Sequence, residues 1–149
     1  MSVESTCHFQ TQRRIEFADT DQAGLVHFAR FFVFMETAEH ELLRSLGTEV
    51  HREWQGREIG WPRVEASCRY LSAARFADLL DITVRVKRKG SKSMTYAIEF
   101  TRDGQAIASG ELSSVCCRVD GAEGLESIAI PDDMADRLVE CTCDHAAAD

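Results

Sequence analysis

A long stretch in the first third of the chain carries apolar side chains at helical spacing. It runs from about Phe28 to Leu46, and Gly47 follows at a position typical of a helix end. The stripe consists of Phe28, Phe31, Phe32, Met35, Ala38, Leu42 and Leu46, widened by Phe34 and Leu43. Because such a stripe covers most of the circumference of a helix, we expect the rest of the chain to enclose this helix.

The segments around this helix change to a period of two, which predicts β-strands. A first strand is predicted over residues 7–17, with Phe9, Ile15 and Phe17 on one face. After a polar connection over 48–60, alternating runs occupy 63–70, 82–87, 94–100 and 105–119. In the first of these runs Val64, Ala66, Cys68 and Tyr70 alternate with Arg63, Glu65, Ser67 and Arg69. Asp103-Gly104 predicts a hairpin turn before the last run, and Pro131 opens a short helix predicted over 132–140.

These elements predict an α+β fold in which an antiparallel sheet of about five strands wraps around one long central helix. The 149 residues suit a single unit over 1–149, ordered over about 7–140 and ending in a short frayed tail. Part of such a sheet stays uncovered. We therefore expect a second copy of the chain as partner, in a homodimer or a homotetramer.

The composition disfavours several classes of protein. A net charge of -8 argues against general nucleic-acid binding, because a surface that follows phosphates needs a basic excess. No segment reaches about 18 consecutive apolar residues, and no basic-then-apolar leader opens the chain, so we expect a cytoplasmic protein without a membrane span. The 6 cysteines form no paired Cys-x-x-Cys motifs at zinc spacing, so we expect reduced thiols, no metal and no other cofactor.

An acidic turn with one glycine joins the first predicted strand to the helix. It reads Phe17-Ala18-Asp19-Thr20-Asp21-Gln22-Ala23-Gly24-Leu25-Val26-His27-Phe28. The turn brings a carboxylate beside a helix N-terminus, where free backbone N–H groups and the helix dipole stabilise a developing anion. Acyl transfer requires this combination of groups. The alternative interpretation of Asp21 is that it caps the helix.

Together these residues resemble the hotdog-fold thioesterases of the 4-hydroxybenzoyl-CoA thioesterase superfamily, including the small acyl-CoA thioesterases associated with the Tol-Pal system. The likeness runs from Arg14 to about Val119 and is most specific in residues 14–17 and 19–26. Gly60-Trp61-Pro62 and Lys92-Ser93-Met94 give weaker support.

The resemblance implies a hotdog fold and hydrolysis of an acyl-CoA thioester without a cofactor. Asp21 is then the catalytic carboxylate, either attacking the thioester carbonyl or activating a water. The backbone N–H of Phe28 is expected to bind the acyl oxygen, and Gly24 to let the chain turn closely. Because a thiol leaves as a thiolate with a pKa of roughly 8.5, a strong general acid is less necessary than in amide hydrolysis.

Two positions near the turn depart from the family pattern. Relatives carry a histidine one position later than His27. His27 is therefore a substrate-facing or acid–base group, or else an ordinary residue of the first helical turn. Arg30 stands where relatives often carry asparagine, which removes a neutral hydrogen-bonding group near the site.

Two further residues are expected at the acyl pocket. Glu36 matches the position of an acidic residue near that pocket in relatives; the alternative is a buried carboxylate paired with Arg30 or His40. Trp61 stands where a smaller residue is common, and its bulk would shorten the pocket or stack on an aromatic acyl group.

The densest basic patch lies at the end of the third predicted strand and in the turn that follows it. It contains Arg85, Lys87, Arg88, Lys89 and Lys92. In an acidic protein this patch suits the phosphates of coenzyme A, with Arg88, Lys89 and Lys92 as the candidates. The alternative is a solvated strand end, where lysines discourage edge-to-edge association.

The leading prediction is therefore a thioesterase that hydrolyses an acyl-CoA to the free acid and coenzyme A. An acyl carrier protein thioester is an alternative substrate. A hydratase or dehydratase of the same fold is disfavoured because the chain lacks a His-Phe-Pro sequence and has only 2 prolines. A non-catalytic acyl-CoA binding protein is the last alternative, and ligand binding without hydrolysis would distinguish it.

Overall fold

An antiparallel sheet curls around one long helix in the computed structural model, which describes residues 6–142. The helices are α1 (Arg30–Ser45) and α2 (Asp132–Ala135), and a 3-10 turn covers Phe17–Asp19. The strands are β1 (His8–Arg14), β2 (Arg52–Trp54), β3 (Arg57–Gly60), β4 (Arg63–Tyr70), β5 (Leu79–Lys89), β6 (Ser93–Arg102), β7 (Gln105–Val115), β8 (Cys117–Arg118) and β9 (Glu126–Ser127).

The strands form two antiparallel sheets. The larger sheet has the order β1-β5-β6-β7-β4, and the smaller has the order β2-β3-β8-β9. In the centre of the larger sheet, Ile98 of β6 lies opposite Val84 of β5 and Gly110 of β7. The predicted α+β class, with about five strands around a central helix, is confirmed.

Helix α1 is the centre of the apolar core. Its buried side chains include Phe31, Phe34, Met35, Ala38, Leu42 and Leu43. The ring of Phe31 packs edge-on against Phe100 of β6, with ring centres 5.2 Å apart. The helix approaches the sheet so closely at Gly110 that a Cβ there would lie 2.5 Å from the Ser67 carbonyl oxygen and 2.6 Å from the Met35 sulfur. Only glycine fits at this position without a shift of the neighbouring atoms.

The first strand and the helix have shorter bounds than predicted. Strand β1 ends at Arg14; Ile15 is buried, whereas Phe17 starts the 3-10 turn and is exposed, so the two do not share a face. Helix α1 starts at Arg30, and Phe28 lies before it with an exposed side chain. The apolar stripe overestimates the length of the helix, because Phe28 lies on the surface of the preceding loop and not in the core.

The polar connection predicted over 48–60 contains a hairpin. Strands β2 and β3 are joined by Gln55 and Gly56, both with positive φ, which is the turn that matches the twist of paired strands. The predicted strand over 105–119 is divided at Cys116 into β7 and β8, and β8 joins the smaller sheet. Helix α2 ends at Ala135, well before the predicted residue 140.

The cysteines described by the structure do not form a metal site. The thiols of Cys7, Cys68, Cys116 and Cys117 are free; Cys116 and Cys117 are buried, and Cys68 is half-buried. Burial raises the pKa of the Cys116 thiol to about 11. Cys143 and the predicted frayed tail lie outside the described residues. No helix within residues 6–142 is long and apolar enough to cross a membrane.

Candidate active site

The acidic turn folds into a tight loop between the 3-10 turn and α1. Thr20 and Val26 form an antiparallel bridge, and the Asp21 N–H donates to the Leu25 carbonyl at 2.7 Å. Gly24 has a φ of +81°, and no atom lies within 4 Å of the place a Cβ would take. The loop therefore requires glycine for its backbone conformation and not for a close approach.

The carboxylate of Asp21 is exposed, and only one of its oxygens is engaged. Oδ1 accepts the N–H groups of Ala23 at 2.9 Å and Leu25 at 3.1 Å. Among residues 6–142, no group donates to Oδ2. The helix-capping alternative is wrong, because α1 starts only at Arg30 and the Asp21 carboxylate accepts N–H groups of the loop and none of the helix. Asp21 thus presents a fixed carboxylate with one open oxygen.

The neighbouring Asp19 is fully buried, with an exposed fraction of 0%. Its Oδ2 accepts the Glu16 N–H at 2.8 Å, and its Oδ1 lies 2.9 Å from Arg30 Nε and 2.7 Å from Arg30 Nη2. Arg13 Nη2 lies 3.5 Å from Oδ2. Burial opposes ionisation, but these hydrogen bonds and cations outweigh it and lower the pKa of Asp19 below its ordinary value. The two aspartates of the motif therefore have different environments, one buried and paired, the other open.

The residues that lead into α1 leave one backbone donor open. The His27 N–H donates to the Asp19 carbonyl at 2.8 Å, and the Ala29 N–H donates to His27 Nδ1 at 3.2 Å. In the neutral ring the proton of His27 is therefore on Nε2. The Phe28 N–H has no acceptor within residues 6–142, and the Phe28 carbonyl accepts the Tyr70 hydroxyl at 3.0 Å. This N–H is available to an external acceptor such as an acyl oxygen.

A family model described as "Thioesterase superfamily" matches residues 23–109, which is more than half of the 149 residues. The chain belongs to the thioesterase superfamily. The predicted enzyme class, a thioester hydrolase, is confirmed by this match and by relatives named as thioesterases or hydrolases, and the predicted hotdog fold is confirmed by solved structures of thioesterases that share it.

Three similar proteins of this superfamily illustrate the likeness. A 1,4-dihydroxy-2-naphthoyl-CoA hydrolase of Thermosynechococcus vestitus is 27% identical over 125 residues, which cover 83% of each chain. A 4-hydroxybenzoyl-CoA thioesterase of Pseudomonas sp. is 27% identical over 129 residues, covering 82% of this chain and 91% of the relative. The structure of the gentisyl-coenzyme A thioesterase BH1999 has a TM-score of 0.73 at 28% identity, and covers 85% of this chain and 99% of that one.

Exposed aromatic side chains surround the loop of this thioesterase. Phe17 and Phe76 meet edge to face with ring centres 6.2 Å apart, and the His27 ring stacks on Phe28 at 4.6 Å. Tyr70 packs edge-on against the buried ring of Phe31. Phe76 and Tyr70 were not predicted at the site, because their proximity to the loop depends on contacts between distant segments; Phe17 was predicted as a strand residue although it is adjacent to the loop in sequence.

The predicted acyl-pocket residue Glu36 is 58% exposed and lies beside Arg63. Its carboxylate is 3.5 Å from Arg63 Nη2. It therefore pairs with neither Arg30 nor His40, the alternatives considered from sequence; Arg30 binds Asp19 instead. Trp61 packs half-buried against the core, and its indole Nε1 is buried without a hydrogen-bond partner among the described residues.

Arg63 also binds a second, buried acid of α1. Its Nη1 donates to Glu39 Oε2 and to Ser114 Oγ, both at 2.7 Å. Glu39 is 3% exposed, and burial raises the pKa of its carboxyl although the Arg63 guanidinium acts in the opposite direction. A register shift between Arg63 and Glu65 turns Arg63 to the helix side of the sheet. The strict alternation predicted for β4 placed Arg63 on the polar face and is wrong at this residue.

Some cations of the basic patch contact carbonyl or carboxylate oxygens of this chain, and others have no such partner. Lys89 Nζ donates to the carbonyls of Ala135 at 2.6 Å and Leu138 at 2.9 Å, so it holds the C-terminal segment. Lys87 pairs with Glu111, and Arg85 lies 3.8 Å from a Glu99 oxygen. The side chains of Arg88 and Lys92 are exposed and have no ion-pair partner within residues 6–142. Open positive charge thus remains at Arg88 and Lys92.

The site contains no evident metal centre. Within residues 6–142, no cluster of three or more histidine, cysteine, aspartate or glutamate side chains is arranged to hold a metal ion.

Proposed function

We propose that this thioesterase hydrolyses an aromatic acyl-CoA to the free acid and coenzyme A. The observation that carries the proposal is the pairing of an open Asp21 oxygen with an open Phe28 N–H in one loop. The three similar proteins described above have names that specify aromatic acyl groups joined to coenzyme A. The exposed rings of Phe17, Phe28 and Phe76 offer surfaces on which such an acyl group can stack.

Each group of the loop has a defined part in this reaction. The acyl oxygen accepts the Phe28 N–H, which stabilises the negative charge that forms when the carbonyl carbon becomes tetrahedral. His27 Nε2–H faces solvent and serves as a donor to the substrate. The thiolate of coenzyme A leaves without a strong acid, because its pKa is roughly 8.5.

Two routes are open to the Asp21 carboxylate. In the first, Oδ2 attacks the carbonyl carbon, the thiolate leaves, and water hydrolyses the mixed anhydride. In the second, Oδ2 takes a proton from a water that attacks the carbonyl carbon directly, and the tetrahedral intermediate then breaks its carbon–sulfur bond to release the thiolate. Rapid quenching during a single turnover, followed by mass analysis of the peptide that contains Asp21, distinguishes them: the acyl mass on this peptide requires the first route.

The test of the function is release of free thiol, measured with a thiol-reactive dye. The panel contains short, medium, long and aromatic acyl-CoAs and one acyl carrier protein thioester. We expect saturable release, with the highest kcat/KM for an aromatic acyl-CoA. Preference for the carrier-protein thioester would contradict the choice of coenzyme A, and saturable binding without thiol release would indicate a non-catalytic binding protein.

The open basic side chains are proposed to bind the phosphates of coenzyme A. We expect the double substitution Arg88→Ala with Lys92→Ala to raise KM for acyl-CoA about tenfold, because two charge contacts to phosphate are lost. KM for the matching acyl-pantetheine thioester, which lacks the nucleotide, should stay within about twofold. Lys87→Ala is the control, since Lys87 is neutralised by Glu111. Equal changes for the two substrates would contradict the assignment.

The β4 edge of the larger sheet is proposed as a dimer interface. Strand β4 is an edge strand that exposes apolar Val64 and Tyr70. Antiparallel pairing of two copies about Ser67 would place Glu65 opposite the partner's Arg69, so the strand is complementary to itself in charge.

A charge exchange tests this interface. Glu65→Arg should weaken dimerisation about tenfold or more, because it places like charges opposite each other, and adding Arg69→Glu should restore the dimer. Analytical ultracentrifugation measures the association. A wild-type monomer, or no effect of either substitution, would contradict the interface; a wild-type tetramer that Glu65→Arg reduces to dimers would place β4 at one of its two interfaces.

A further inference from the structure

The buried carboxylate of Asp19 has no part in the proposed chemistry, yet it makes the densest set of polar contacts near the loop. It contacts Glu16 of the 3-10 turn, Arg30 of α1 and, more distantly, Arg13 of β1. A fully buried, ionised acid is expensive to keep in a fold unless its partners are fixed in place. Its contacts therefore indicate a constrained geometry around the loop.

These contacts hold both ends of the segment that carries Asp21 and Phe28. Asp19 itself lies immediately before the loop, and its side chain binds Arg30, the first residue of α1. Its backbone carbonyl accepts the His27 N–H at 2.8 Å, directly beside Phe28. One residue thus joins the start of the loop, its end and the helix.

We propose that the Asp19–Arg30 pair is a positioning device that fixes the Asp21 carboxylate relative to the Phe28 N–H. The inference rests on the proposed function of these two groups. Displacement of a reacting group by about 1 Å costs on the order of 100-fold in rate.

Arg13 provides a matched control for Arg30. Both arginines approach the same Asp19 carboxylate, and both guanidinium groups lie over the Phe34 ring, at 4.9 Å for Arg13 and 5.8 Å for Arg30. They differ in the element that each one joins to Asp19, which is β1 for Arg13 and α1 for Arg30, and in distance, since Arg30 makes two contacts within 3 Å and Arg13 lies 3.5 Å away. A positioning role for α1 therefore requires unequal effects of the two substitutions.

The first measurement is steady-state thiol release at a temperature where every variant is folded. We expect Arg30→Gln to lower kcat at least about thirtyfold with KM within about threefold, and Arg13→Gln to leave both within about threefold. Arg30→Lys keeps the charge but loses the two-point contact, so it should recover part of kcat. Equal losses of kcat in Arg30→Gln and Arg13→Gln would overturn the proposal.

A second measurement does not depend on activity. Amide hydrogen exchange followed by mass spectrometry should show faster exchange over residues 20–29 in Arg30→Gln, by about tenfold, and unchanged exchange in β6. Arg13→Gln should leave residues 20–29 unchanged. Unchanged exchange in Arg30→Gln would overturn the proposal even if the enzyme is active. If Arg30→Gln exchanges faster over residues 20–29 but the wild-type protein releases no thiol from any substrate, the positioning device is supported and the proposed function is contradicted.

Discussion

Asp21→Asn is expected to reduce kcat for the best acyl-CoA substrate at least about 100-fold, because an amide cannot act as nucleophile or as base. The loop should survive this substitution. The Asn oxygen can accept the Ala23 and Leu25 N–H groups that Asp21 Oδ1 accepts now, so only the open oxygen is replaced. Asp21→Ala would remove those two hydrogen bonds as well, and its loss of rate would combine chemistry with loop structure.

The control for Asp21→Asn is Asp103→Asn, in the exposed turn between β6 and β7. Asp103 has a φ of +50°, a conformation that asparagine adopts readily, so neither stability nor kcat should change. Thiol release gives kcat, and circular dichroism and equilibrium ligand binding show that Asp21→Asn still folds and binds. A near-native kcat in Asp21→Asn would remove Asp21 from the mechanism.

Arg63→Met is expected to lower the free energy of unfolding by about 3 kcal/mol at pH 8, because it leaves the buried Glu39 carboxylate without its cation. The sign of the pH dependence follows from Glu39. The pKa of its carboxyl is raised in the folded protein above the ordinary 4.5. The protonated carboxyl therefore favours the folded state at low pH, and this stabilisation is lost as pH rises through the folded pKa. Without Arg63 that pKa rises further, so the loss should be smaller at pH 5 than at pH 8.

Urea unfolding at the two pH values measures this effect. Glu36→Gln is the control, because Glu36 approaches the same guanidinium from the exposed side, and we expect a change below about 0.5 kcal/mol. Combining Arg63→Met with Glu39→Leu should recover much of the loss, since the buried charge is then removed together with its partner. Additive losses, or a larger loss at pH 5, would contradict this account of the pair.

The candidate site was partly predictable. The motif around Asp21 is contiguous, so its loop, its glycine and the nearby helix follow from local sequence. The different environments of its two acids do not follow from local sequence. Asp19 and Asp21 are only two residues apart, and Asp19 is the paired acid because it is buried beside Arg13 and Arg30, whereas Asp21 stays exposed. The same holds for Lys89, which the charge pattern groups with Arg88 and Lys92 but which binds carbonyls of the C-terminal segment.

The enclosed helix and the alternating strands follow from the sequence, because helical and strand periodicities are local properties of side-chain order. The acidic loop and its glycine follow from it as well. The direction of the Arg63 side chain depends on strand pairing, since a register shift against β7 turns it to the helix side of β4. Strand pairing also decides that residues 52–60 form a hairpin, because β3 is completed by pairing with the distant β8. Both outcomes depend on hydrogen bonds between segments far apart in the chain, which local patterns do not encode.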